Sequence, residues 1–254
     1  MADQSPVPPL GTLSGYSTCR RIRILSDRFT AIATYHPNDH SVSCSRTKHP
    51  LVARGWSRFF VPRIFRLCSM IIAGNGFFAH CLVAFVILQA LLAPPVPPNA
   101  NAVALAVTSI IANAIPLVLF LLYTRFRIAR WHGAEHMAIA SYERTKQIDP
   151  IAMMDESTVH PKCGGRLLAP IFCSLLVVPF LAQLLHLSMP ISLLLLLEFI
   201  LQIDALIGFD RVPVFRTLSI LLQRHITTQR PRAEELATAW FALKTLAAAH
   251  RSEQ

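Results

Sequence analysis

The sequence predicts an all-α integral membrane protein. Four transmembrane helices are expected, with a cytoplasmic helical loop that carries a metal motif, a small N-terminal β-hairpin and C-terminal amphipathic helices. Three observations predict it. Of 254 residues, 53% are hydrophobic and 15% charged, where an ordinary soluble domain carries about a quarter charged residues; the mean hydropathy is +0.46. Four runs are nearly continuous apolar sequence: Phe77 to Ala93 (extendable back to Met70), Ala102 to Tyr123, Leu167 to Leu187 and Ile191 to Phe209. At ~1.5 Å per helical residue such runs approach the ~30 Å of a hydrocarbon core. Finally, all 24 lysines and arginines lie outside the two loops PPVPPNAN and SMP: ten precede the first run, seven lie between the second and third, and seven follow the fourth.

Taken in order, residues 1–28 form a mobile N-terminal segment, rich in Pro, Ser and Gly in its first part. It shows no basic stretch followed by an apolar run, so no cleavable leader is expected. Residues 29–67 hold a hairpin, suggested by Phe29, Ile32, Ala33, the turn sequence HPND and Val42, and then a basic juxtamembrane stretch. Residues 68–123 are spans one and two, 124–166 the metal-motif loop, 167–211 spans three and four, and 212–254 the amphipathic helices Val212–Leu222 and Ala233–Ala249. The positive-inside rule places both termini and the central loop in the cytoplasm of a plasma (inner) membrane. The net charge of +10 is then a topology signal with some attraction to anionic lipid headgroups, and no nucleic acid is needed to explain it. The six cysteines, Cys19, Cys44, Cys68, Cys81, Cys163 and Cys173, form no CxxC pair, so neither a disulfide framework nor a Cys-rich zinc module is expected.

The chemistry concentrates in 124–166. His132, Glu135 and His136 spell HxxEH. On a helix the two imidazoles sit one turn apart on one face, with Glu135 three residues from His132 and Glu143 two turns beyond His136. Two converging imidazoles with nearby carboxylates suit a divalent metal, and HxxEH is the inverted zinc-peptidase motif. The segment HPKC adds His160 and Cys163, followed by Gly164 and Gly165, which allow a tight turn. Imidazole and thiolate together favour Zn²⁺ or Fe²⁺ over Mg²⁺ or Ca²⁺. The expected metal ligands are His132, His136, His160 and Cys163, with Glu135 as general base. The bland alternative is a polar loop whose His and Cys merely cap helices.

HGAEH, an Ala-Ser-Tyr-Glu segment and HPKCG leading into an apolar helix resemble the YqhQ-like family of uncharacterised bacterial membrane proteins, described as predicted metal-dependent enzymes. The resemblance spans roughly Phe29 to Leu246 and includes FTAIATYHPNDHSV and HITTQRPRAEELATAWFALKTL. It implies that His132, Glu135, His136, Glu143, His160 and Cys163 occupy the family's motif positions. By the same resemblance, Asp204 and Arg211 fall where the family has a Glu and an Arg late in its fourth span. Two departures stand out. The family's Ile-Glu-Gly-Val-Met-Met-Arg string is LSGYSTCRRIRILSD here, without the acid or the paired Met, as in a divergent or inactive member, and its Cys-Gly-Thr-Ser-Phe is CGGRL.

Inside the fourth run, Glu198 and Asp204 would have to be protonated or paired in a bilayer, and Asp204 is the better functional candidate of the two. The leading expectation is a metal-dependent hydrolase acting at the membrane surface on an amide or ester, with a zinc-like ion activating water. Against it, four protein ligands would close the coordination shell, which fits a non-enzymatic membrane scaffold with a structural metal. An ion or proton transporter using Glu198 and Asp204 is a third expectation, with little support because no broken-helix pair is visible.

Overall fold

The computed structural model describes residues 8–48, 118–161, 163, 167–185 and 187–253. The chain divides into two compact units, one of Met1–Val52, Leu121–Gly165 and Ile220–Gln254, the other of Ala53–Phe120 and Arg166–Ser219.

The first unit is built on an antiparallel sheet in the order β1-β2-β3-β4, with β1 at Ser14–Thr18, β2 at Arg21–Leu25, β3 at Phe29–His36 and β4 at Ser41–Lys48. Alternation decides which face is covered. In β2 the sequence Arg-Ile-Arg-Ile buries Ile22 and Ile24 and leaves Arg21 exposed. In β3, Ala31, Ala33 and Tyr35 take the same inward face by register with β2, because successive side chains of a strand point to opposite sides. The turns have local causes. Ser26 Oγ accepts the amides of Phe29 (3.0 Å) and Arg28 (3.4 Å) between β2 and β3. Asp39 accepts the amide (3.3 Å) and hydroxyl (2.9 Å) of Ser41 at the start of β4.

Two long helices cover the inward face. Helix α1, Ala129–Thr145, packs on β1 and β2, and α6, Ala233–Arg251, on β2, β3 and β4. Between them in sequence come α2 (Pro150–Met154), α3 (Leu168–Leu184), α4 (Met189–Leu206) and α5 (Pro213–Leu222). The α6 stripe Ala239, Ala242, Leu243, Leu246 and Ala247 is fully buried against the sheet. Alanines on both sides, including Ala31 and Ala33, let helix and sheet backbones approach closely. Helix α1 contributes Trp131, Ala134, Ala138, Ile139 and Tyr142 to the same core. The Tyr142 hydroxyl accepts the Leu10 amide (3.0 Å) and donates to the Pro8 carbonyl (3.2 Å), fastening the start of the described chain. Asp149 caps α2 through the Ile151 amide (2.9 Å), with Pro150 pre-set in the first turn. Two single π-helical turns, Thr124–Ile128 ahead of α1 and Gln223–Thr227 after α5, pack against each other.

In the second unit α3 and α4 pack together around Val178 and Leu193, with Leu196 and Leu197 alongside. Leu194, Leu195 and Phe199 of α4 are exposed. Within α4 the Gln202 amide donates to Glu198 (2.5 Å), and Asp204, near the end of the helix, accepts the Phe209 amide (3.1 Å) where the chain turns at Gly208.

This architecture corrects the expected fold class. The protein is not all-α, because a four-stranded sheet organises the first unit, and two of its strands lie within residues 1–28, where a mobile segment was expected. Among the described residues no helix is long and apolar enough to cross a membrane. Helix α3 has 17 residues, about 26 Å at 1.5 Å per residue, short of a ~30 Å core. Helix α4 has 18 residues but includes Glu198, Gln202 and Asp204. Of the uncharged SMP sequence, Ser188 precedes α4 and Met189 and Pro190 form its first turn. The expected inner-membrane location and topology rested on those spans and fall with them. Most of residues 68–123, the first two expected spans, lies outside the described residues.

Leu243→Ala and Leu246→Ala should each cost about 2–5 kcal/mol, since each vacates a fully buried position. Leu194→Ala, at an exposed site, should stay within roughly 0.5 kcal/mol. Urea unfolding followed by circular dichroism distinguishes the two classes.

Candidate metal centre

Helix α1 carries two adjacent stripes. One is the apolar stripe that joins the core; the other is His132, Glu135 and His136, of which Glu135 and His136 are each 2% exposed. Gly133 lies between them for reasons of space. The segment after the second π turn crosses α1 there, with the Gln229 amide donating to the Ala129 carbonyl (2.9 Å) and the Gln229 side chain to the Arg125 carbonyl (3.2 Å). A Cβ at position 133 would collide with the Gln229 carbonyl oxygen.

The segment between α2 and α3 brings the remaining groups. The His132 Nε2 is 3.3 Å from Cys163 Sγ, and its Nδ1 is 3.2 Å from Glu135 Oε2. The His136 Nδ1 is 2.6 Å from the Thr158 carbonyl oxygen. A carbonyl only accepts, so this nitrogen carries the proton and Nε2 keeps its lone pair. The two α1 imidazole rings lie with centroids 4.2 Å apart and planes tilted by 56°. One ligand atom each from His132, His136 and Cys163 falls within 4.8 Å of the others. The π turn at Gln223–Thr227 supports this segment from below. Gln223 Oε1 accepts the His160 amide (3.0 Å), the Cys163 amide donates to the His160 carbonyl (3.1 Å), and Thr228 Oγ1 donates to the Gln223 carbonyl (2.8 Å).

Electrostatics separates the two histidines. Burial disfavours the charged form of His132, but the negative charges at Cys163 and Glu135 outweigh it and hold its pKa well above the usual value. His136 is pushed down to about 3, first by burial and then by the charge on His132. It is therefore neutral near pH 7, the state a metal ligand needs.

The other expected site residues are placed as follows. His160, 7% exposed, stands beside the cluster with its ring centroid 5.7 Å from that of His136, and its Nε2 lies 3.3 Å from Glu143 Oε2. Glu198, Asp204 and Arg211 belong to the second unit, where Glu198 and Asp204 make the local contacts described above and the Arg211 amide donates to the Gly208 carbonyl (3.0 Å). Sequence reasoning missed Ser17, whose hydroxyl donates to Glu135 Oε2, and it missed Thr158 and Gln223. Thr158 acts through its backbone carbonyl, which no residue type reveals. For Ser17 the only signal available is the Gly-x-Ser alternation of a strand.

The profile of the family described as "Protein of unknown function (DUF1385)" matches residues 65–249, and the chain belongs to that family. No curated protein and no solved structure matches the chain. The matched segment contains α1, the Thr158–Cys163 segment and most of α6, and it begins after the sheet.

Two outcomes follow from this geometry. Gly133→Ala should destabilise the first unit by about 1–3 kcal/mol, the usual cost of overpacking, and lower its thermal midpoint, because backbone rather than a flexible side chain occupies the space. The second concerns pH in the metal-free protein. The unfolded chain protonates His136 near 6.5, whereas the folded chain resists until about 3. Stability from this group is thus complete above 6.5 and declines as pH falls from 6.5 toward 3, by up to about 1.4 kcal/mol per pH unit. His132 has the opposite sign: its contribution is complete below 6.5 and is lost as pH rises through its elevated folded pKa. The acid-side slope of the unfolding free energy should therefore be shallower in His136→Gln than in the natural chain, as read from urea midpoints across that range.

Proposed function

We propose that His132, His136 and Cys163 hold a divalent metal ion of the Zn²⁺ type, in a centre suited to metal-dependent hydrolysis of an amide or ester. The observation that carries the proposal is the convergence of two imidazole nitrogens and one thiol sulfur within 4.8 Å, with the unused nitrogen of His136 fixed on the Thr158 carbonyl. Two nitrogens and a sulfur are a borderline-soft donor set that fits Zn²⁺, or Fe²⁺, better than Mg²⁺ or Ca²⁺. Three protein ligands leave one position open, the pattern of catalytic rather than structural zinc. An ion held there would supply Lewis-acid polarisation and an activated water at neutral pH.

The chain's own residues prepare the ligands. Thr158 accepts from His136 and keeps its Nε2 deprotonated; Glu135 accepts from His132 Nδ1, so that Nε2, which faces Cys163, is the nitrogen that would exchange its proton for the ion. Glu135 was expected to act as general base. Its burial and its engagement by Ser17 and His132 favour instead the role of a carboxylate that orients a histidine, as is common behind metal ligands. A second reading draws on His160: if its ring turned to the ion, the shell would close with four ligands and the metal would be structural.

Metal content of the purified full-length protein after Zn²⁺ loading tests the proposal. One ion per chain is expected, with sharp loss in His136→Ala and in Cys163→Ser and retention in His160→Ala. In the Co²⁺-substituted protein, azide should shift the visible spectrum by entering the open position. A chain that takes up no metal would refute the site. A spectrum blind to azide, together with metal loss in His160→Ala, would establish the closed structural shell instead.

A further inference from the structure

We propose that Ser17, on strand β1, is a positioning residue for the metal ligand His132, acting through Glu135; the proposal rests on the metal-site assignment above. Glu135 is 2% exposed, and a buried carboxylate persists only when hydrogen-bond donors surround it. Its Oε2 receives two of them, the Ser17 hydroxyl and His132 Nδ1 at 3.2 Å. Ser17 Oγ also lies 3.3 Å from the Trp131 carbonyl. A hydroxyl has one proton to give, and an ionised carboxylate is the stronger acceptor. The proton therefore goes to Glu135.

Strand β1 constrains the same carboxylate from a second side. Gly15 and Ser17 are two residues apart in a strand and so face α1 together. A Cβ at Gly15 would lie 2.6 Å from Glu135 Oε1 and 2.8 Å from its carboxyl carbon. The strand backbone thus lies against one oxygen while the serine holds the other, and the carboxylate has a single orientation. That orientation holds a proton of His132 on Nδ1 and leaves Nε2, 3.3 Å from Cys163 Sγ, as the nitrogen that would give up its proton to a metal ion. Ser17 is 118 positions from Glu135 in sequence and lies outside the family-matched segment 65–249. The N-terminal sheet is accordingly part of the metal centre's support as well as the unit's core.

The test compares Ser17→Thr with Ser17→Val in the full-length protein. The two introduced side chains have the same shape and both suit a strand; they differ by a hydroxyl against a methyl group. Zn²⁺ affinity is measured by chelator competition, with the natural chain and His136→Ala as references, and the His132 tautomer in the Zn²⁺-loaded protein is read from long-range imidazole ¹⁵N correlation spectra. Ser17→Thr should bind within about threefold of the natural chain. Ser17→Val should bind about 10–100-fold more weakly, the usual effect of losing an outer partner of a metal-bound histidine, and should populate the second His132 tautomer. Equal affinity and the same tautomer in Thr and Val variants, with binding lost in His136→Ala, would overturn the role of Ser17 and leave the metal site standing. Absence of Zn²⁺ binding in the natural chain would overturn both.

Discussion

A buried ionisable side chain must find a partner, and α1 buries two of them within one turn, Glu135 and His136. Much of the first unit's construction answers that demand. Strand β1 brings Ser17 to Glu135, the segment after α2 brings the Thr158 carbonyl to His136, and Cys163 comes to His132. Each of these partners is distant in sequence from the residue it serves. Removing any of them leaves a polar atom without its partner in a low-dielectric site, which costs more than the hydrogen bond itself contributes.

The elements that bring these partners are themselves held by irregular backbone. The π turn Gln223–Thr227 offers Gln223 to the His160 amide and is closed by Thr228. The chain that follows lies so close to α1 that position 133 has room only for glycine. Single π turns recur at functional sites, because one extra residue in a turn re-aims side chains that a regular helix would present elsewhere. Here the re-aimed residue is Gln223, which fixes the loop carrying His160 and Cys163.

The membrane expectation fails for a reason that particular residues show. The runs Leu167 to Leu187 and Ile191 to Phe209 are indeed helical over Leu168–Leu184 and Met189–Leu206. Composition measures how apolar a run is and overstates how long its helix will be: the third run is helical only to Leu184, and the turn at Gly208 follows the end of the fourth helix at Leu206. Helices α3 and α4 bury Val178 and Leu193 against each other. The early strands escaped notice for a different reason. Alternation over five residues in β2, between Cys19-Arg20 and Ser26-Asp27, is too short a signal to separate from a loop.

By itself the sequence determined the spacing of His132, Glu135 and His136, since i, i+3 and i+4 positions share a helix face wherever that helix lies. It also determined the donor chemistry, because imidazole and thiol are properties of residue types. It placed α5 and α6 to within a few residues, through their amphipathic patterns. Only the tertiary structure decided that Cys163 stands beside His132 while His160 pairs with Glu143, and that Ser17 completes the surroundings of Glu135. Those contacts join segments 17 to 118 residues apart, and which of several distant groups reaches a buried carboxylate depends on how sheet and helices pack, a property that no local pattern encodes.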